Sequence, residues 1–263
     1  MVLEKLSLKN KVALITGAGR GLGRAMALAM AGAGCTIAAV ARTRSQLEET
    51  AAAVRQQGSS CMVIPADVTR SKEVNAMVEV AVAELGHIDI LINNAGGGTQ
   101  DYGKPLEEIS DEMWQEGLAL NLSSQFYCCR AVIPHLIAQQ HGRIINIASG
   151  LGLRGGKQLF SYTCAKGAVI QLTRSLAVTY ARYNIQSNCI VPGVFGEAAE
   201  RFQGGKFVPM GRPGEYEEIG PLAIFLASDA AHHLNGAMLT IDGGALAGGA
   251  TPTGSYPQLN ESR

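Results

Sequence analysis

The stretch KVALITGAGRGLGRAMALAM, residues 11–30, decides how this chain is read. VALIT (12–16) is an apolar run of strand length. Thr16 ends it, glycines follow at 17, 21 and 23, and an alanine-rich run begins at once. The spacing is G-x-x-x-G-x-G. A strand that passes through glycines straight into a helix is the setting in which such a pattern signals a phosphate-binding turn. Gly17 permits the tight turn. Gly21 and Gly23 let backbone approach a pyrophosphate at a helix N-terminus, where N–H donors and the helix dipole favour anions. The alternative, a glycine-rich turn with no ligand, is weighed down by that strand–turn–helix placement.

Outward from this unit the alternation continues. TIAAVA (36–41), CMVIP (61–65), DILIN (89–93), RIINIA (143–148), QSNCIV (186–191) and MLTID (238–242) read as further strands. They are almost continuously apolar, as strands of a parallel sheet covered on both faces are. Helices are expected at about 21–33, 44–57, 71–85, 110–139, 160–182 and 215–227, with Ser71 and Ser110 as N-caps. The pattern predicts one α/β domain over 1–247, a doubly wound Rossmann-type fold with a seven-stranded parallel sheet flanked by helices. A polar, turn-rich tail covers 248–263, either mobile or an oligomer contact.

Charge narrows the function. With 22 basic and 22 acidic residues the formal net charge is zero, which leaves no footprint for nucleic acid or a membrane surface and suits a small neutral or anionic substrate. The N-terminal MVLEKLSLKN is charged and lacks the apolar run of a signal peptide. The uncharged stretch 25–41 is alanine-rich and interrupted by Gly32 and Gly34, so it reads as helix, turn and strand and not as a membrane span. The six cysteines form no C-x-x-C pair and have no histidine at metal spacing. They read as reduced, buried thiols of a cytoplasmic protein without a metal site.

Far downstream, SYTCAK (161–166) places Tyr162 and Lys166 four apart, on one face of the expected helix. IINIASG puts Ser149 at the carboxyl end of a strand, where open α/β sheets bind ligands. Alone, each has a plain structural reading. Together with TGAGRGLG (16–23), DV at 67–68, NNAG (93–96), Asn121 in LNLSS, PG (192–193) and IDGG (241–244), they make the chain resemble the short-chain dehydrogenase/reductase family to about residue 246. In pattern it is nearest to 3-oxoacyl-carrier-protein reductase-like members.

The resemblance implies an oxidoreductase that interconverts a ketone and a secondary alcohol. It implies that Tyr162 is the acid/base, that Lys166 lowers the phenol's pKa and holds the cofactor ribose, that Ser149 donates to the substrate oxygen, and that Asn121 holds a relay water. The cofactor site it implies comprises Gly17, Gly19, Arg20, Gly21, Leu22, Gly23, Arg42, Asp67, Val68, Asn94, Ala95, Gly96, Pro192, Gly193 and Val194, with Tyr162 and Lys166. Family members often carry Thr five residues after the Pro of PG. Here that position is Glu197, which either takes over a carboxamide contact or opens a short helix as a favourable N-terminal acid.

The cofactor is expected to be NADP(H) in preference to NAD(H). The second strand ends in Ala41, where an acid would hold the 2′-hydroxyl of NAD, and Arg42 and Arg20 suit a 2′-phosphate. The substrate expected first is a 3-oxoacyl thioester. The alternatives are a sugar or polyol alcohol and, in another class, a non-catalytic nucleotide-binding scaffold. By resemblance, helices 110–139 and 160–182 pair across a two-fold axis in a dimer or tetramer.

Overall fold

β1 (Val12–Thr16) is buried at all five positions and lies between two parallel neighbours, β2 (Thr36–Ala41) and β4 (Ile90–Asn93). The computed structural model describes residues 3–196 and 208–248. The remaining strands are β3 (Cys61–Pro65), β5 (Gly142–Ile147), β6 (Ile185–Pro192) and β7 (Met238–Ile241). They complete one seven-stranded sheet in the order β3-β2-β1-β4-β5-β6-β7, parallel throughout. The winding reverses between β1 and β4, so the connections leaving their carboxyl ends part there and open a crevice.

Successive strand residues face opposite ways, and the core divides accordingly. Ala13 and Ile15 of β1 pack with α1 (Gly21–Gly32), α2 (Arg44–Gln56) and α7 (Gly220–Ala227). Leu14, between them, packs with α3 (Ser71–Leu85) and α5 (Ser124–Gln139) on the other face. α6 (Phe160–Tyr180) adds Leu176 to that second face and Val169 and Ile170 to a third cluster around Val191.

The strands fall where expected, to within one residue at either end. Three helices differ. The helix expected over 110–139 is α4 (Asp111–Leu118) and α5 joined by a π-helical turn, Ala119–Ser123. α6 closes in a 3₁₀ turn at Ala181–Tyr183, and α7 is preceded by another, Tyr216–Ile219, whose start carries a Glu215/Glu218 capping box. Ser110 caps α4 by accepting from the Met113 N–H at 3.3 Å. Ser71 is not a cap. α3 begins at Ser71 itself, and its hydroxyl takes a 2.7 Å bond from Arg130 instead.

Five of the six cysteines are buried free thiols, whereas Cys164 is exposed. Among the described residues no helix is long and apolar enough to cross a membrane. Glu197, the segment to 207 and the tail from 249 lie outside the described residues.

Candidate active site

Thr16, the last residue of β1, sits at the fork where β1 and β4 part. Its hydroxyl donates to the Ile92 carbonyl at 3.3 Å and accepts from the N–H groups of Asn94 and Ala95, each at 3.0 Å. The Asn94 amide returns across the fork to the carbonyls of Thr16 (3.0 Å) and Gly17 (3.3 Å). The two ends are thus braced by side chains that the glycine turn leaves room for. Gly17 has φ +66°, and a Cβ there would come within 2.7 Å of the Asn94 amide. Gly23 packs behind, against the Gly17 carbonyl.

The crevice is a cleft of about 680 Å³. Gly17, Gly19, Arg20, Gly21 and Leu22 line one end with Ala41, Arg42, Asp67 and Val68. Asn94, Ala95 and Gly96 lie in the middle, and Ser149, Tyr162, Lys166, Pro192 and Gly193 close the other end. Arg20 is the N-cap residue of α1 and offers no side-chain acceptor to its leading N–H groups. An uncapped helix N-terminus reached through glycines fits a pyrophosphate, so the residues present suit a dinucleotide. Arg20 and Arg42 are both exposed on this rim, beside Thr43 and Gln46. Burial raises the Asp67 carboxyl, but hydrogen bonds from Thr69 (2.9 Å from N–H, 2.7 Å from hydroxyl) and the charges of Arg42 and Arg70 prevail and hold it below its usual value.

At the far end Lys166 is buried, while Ser149 and Tyr162 are half-buried. Lys166 is 3% exposed, and its ammonium donates to the Ile147 carbonyl at 2.8 Å. Burial pushes its pKa down to about 8. Burial likewise raises the Tyr162 phenol, and a hydrogen bond with Ser149 opposes it without cancelling it. Ser149 also accepts from the Leu151 N–H at 3.2 Å. The expectation that Lys166 lowers the Tyr162 pKa is not met in this geometry. The ammonium lies 5.7 Å from the ring centroid and is spent on Ile147, so desolvation governs the phenol.

Three expected site residues lie outside the cleft lining. Asn121 is fully buried within the π turn. Its Oδ1 accepts from the Gly97 N–H (2.9 Å), and its amide donates to the Gly97 carbonyl (2.9 Å) and the Gly117 carbonyl (3.2 Å). It fixes the 96–97 turn beneath the cleft. Gly23 lies behind the glycine turn, and Val194 lines a small neighbouring cavity with Met210 and Arg212. Conversely, Gln46, Leu120, Phe195 and Tyr216 line the cleft without having been singled out. They arrive through tertiary packing, and no local spacing marks them.

Comparison with known proteins agrees with this geometry. The family described as short chain dehydrogenase matches residues 11–202. The chain is 38% identical over 257 residues to 2-dehydro-3-deoxy-D-gluconate 5-dehydrogenase of Dickeya dadantii, covering 94% of this chain and all of that one. It is 34% identical over 249 residues to 5-keto-D-gluconate 5-reductase of Escherichia coli, covering 91% and 97%. Among solved structures it resembles a gluconate 5-dehydrogenase of Burkholderia cenocepacia in complex with NADP and tartrate, with a TM-score of 0.86, 35% identity and coverage of 94% and 99%.

Proposed function

The chain belongs to the short-chain dehydrogenase/reductase family and is an oxidoreductase of CH–OH and C=O groups that uses a nicotinamide cofactor; from that premise we propose that it interconverts a ketone and a secondary alcohol on a hydroxylated carboxylate of the sugar-acid kind, using NADP(H). The observation that carries the reaction is Ser149, Tyr162 and Lys166 closing the same cleft that the glycine turn opens. The substrate class rests on the relatives, whose names concern gluconate derivatives. It replaces the 3-oxoacyl thioester reading, for which the relatives named above offer no support. The scaffold reading falls with membership among enzymes.

In this reading, the glycine turn and the α1 N-terminus hold the pyrophosphate and Asp67 meets the adenine end. Arg20 and Arg42 take the 2′-phosphate, for which a guanidinium is suited by charge and forked donors. A nicotinamide bound at the other end supplies or accepts hydride. Ser149 donates to the substrate oxygen where charge develops. Tyr162 gives the proton to that oxygen during reduction and takes it during oxidation. A phenol raised by burial starts protonated, as reduction requires. Lys166, moved to about 8, changes charge near working pH and is poised to engage cofactor hydroxyls once released from Ile147. Asn121 acts by keeping Gly96 and Gly97 in place.

The fold serves this as a single dinucleotide-binding domain over 1–247, with 248–263 as an appended tail. The same reading pairs the helices over 110–139 and 160–182 across a two-fold axis in a dimer or tetramer, with exposed Phe126 on α5 and Val178 on α6. A monomeric mass by light scattering counts against that.

The substrate is tested by following reduced-cofactor absorbance across keto sugar acids, neutral ketoses and 3-oxoacyl thioesters. The highest kcat/KM is expected for a keto sugar acid. A thioester or an uncharged ketose in first place overturns the assignment.

A further inference from the structure

The connection between β4 and α4 contains T-Q-D-Y-G at 99–103, which none of the roles above uses. Asp101 within it is fully buried. A buried carboxylate costs several kcal/mol unless its lone pairs are met, and here neutral donors meet them. Oδ1 accepts from the Thr99 hydroxyl at 2.6 Å, and Oδ2 accepts from the Ser161 N–H at 3.1 Å.

Ser161 is the second residue of α6, and that helix has no side-chain cap of its own, since Leu159 occupies the N-cap. Asp101 therefore supplies from another element the acceptor and the negative charge that a helix N-terminus favours. Burial raises its carboxyl, while hydrogen bonds from Ser161 and Thr99 lower it, and the second effect prevails, so it is held as a carboxylate.

Two further ties join the same segments. The Gly103 N–H donates to the Gln158 carbonyl at 2.9 Å, and the Tyr102 ring stands edge-on to Tyr162 with centroids 5.6 Å apart at 86°. Behind Ser161 lies Gly117, where a Cβ would collide with the serine hydroxyl, and the Gly117 carbonyl is an Asn121 acceptor. The residue following Ser161 in the chain is Tyr162. The start of α6 is thus clamped from the β4–α4 connection on one side and from α4, whose Gly117 the π turn's Asn121 holds, on the other.

We infer that Asp101 is a positioning residue for Tyr162: by holding the Ser161 N–H it sets the first turn of α6, and with it the direction in which the phenol meets the substrate oxygen. This rests on the reading of Tyr162 as the proton donor. The effect belongs in kcat and not in cofactor affinity, because Asp101 does not line the cofactor's end of the cleft. A displacement of about 1 Å at a reacting group costs on the order of 100-fold in rate.

The test compares wild type, Asp101→Leu, Asp101→Asn, Thr99→Val and Tyr162→Phe, each by kcat and KM on the best keto acid and by cofactor dissociation constant. Asp101→Leu is expected to lose ~10- to 100-fold in kcat with the cofactor constant unchanged. Asp101→Asn keeps an oxygen for Ser161 and is expected to recover most of that loss. If the leucine variant does not fold, Thr99→Val decides, with a loss of a few-fold in kcat expected. Wild-type kcat in the deciding variant, an asparagine variant as slow as the leucine one, or a loss seen only in cofactor binding overturns the positioning role while Tyr162→Phe stays inactive. Full turnover by Tyr162→Phe overturns the reading of Tyr162 itself, and this inference with it.

Discussion

The two ends of the cleft are made differently. At the glycine-turn end, main chain and exposed side chains line it: glycines, leading helix N–H groups, and the solvent-facing Arg20 and Arg42. At the other end Lys166 is buried with Ser149 and Tyr162 half-buried beside it, and desolvation moves both Lys166 and Tyr162 away from their ordinary pKa values. Charges in water interact weakly and can be exchanged, whereas a buried titratable group is set by everything packed around it. Substitutions at the first end should therefore change which cofactor binds. Substitutions at the second should change whether the reaction runs.

The largest expected effect lies at the buried end. Tyr162→Phe should keep the fold and cofactor affinity yet lose ~10²–10⁴-fold in turnover, measured as initial rates with saturating cofactor; near-normal rates would remove Tyr162 from the proton's path. Next is the pH dependence of stability. Native Lys166 titrates near 8 and an unfolded lysine near 10.5, so between those values the unfolded chain holds a proton that the native one has released. Wild type should gain up to ~3 kcal/mol relative to Lys166→Met as pH rises through that window. Parallel denaturation curves at every pH would show that the lysine is not buried as described.

A smaller effect is expected at the exposed end. Ala41→Asp/Arg42→Ala should shift the ratio of NADP(H) to NAD(H) affinities by ~1.5–3 kcal/mol toward NAD(H), the range for a hydrogen bond to a charged group. Titrations showing that wild type already binds NAD(H) more tightly would contradict this, as would an unchanged ratio. Smallest, and away from both ends, Ser110→Ala should cost ~1 kcal/mol in urea denaturation as a lost cap, and Ser71→Ala less than ~0.5 kcal/mol as an ordinary surface change. The reverse order would mean that the caps are misassigned.

The strands and their parallel arrangement were legible because runs such as VALIT and TIAAVA are continuously apolar, of strand length and bounded by turn signals, as strands buried on both faces are. The break at Ala119–Ser123 was not. The residues from 110 to 139 form a continuous helical pattern, and at the break Asn121 bonds both the N–H and the carbonyl of Gly97, a tertiary contact that no local pattern marks. The same holds for the site. Gly17, Ser149, Tyr162 and Lys166 stand in motifs whose spacing is local. Asp101 reaches Ser161, and Gln46 and Tyr216 reach the cleft, across sequence distance, and they carry no such mark. The spacing of Tyr162 and Lys166 fixes a shared helix face and says nothing about the Ile147 carbonyl that claims the ammonium.

Transfer of label gives the plainest trial of the whole reading. Wild type would be incubated with NADPH deuterated at the transferred position and a keto sugar acid, and the product alcohol examined by mass spectrometry and NMR. One deuterium at the new carbinol carbon, with none formed by Tyr162→Phe over the same interval, is the predicted result. Unlabelled alcohol, or no alcohol from any keto acid while the cofactor is demonstrably bound, would contradict it.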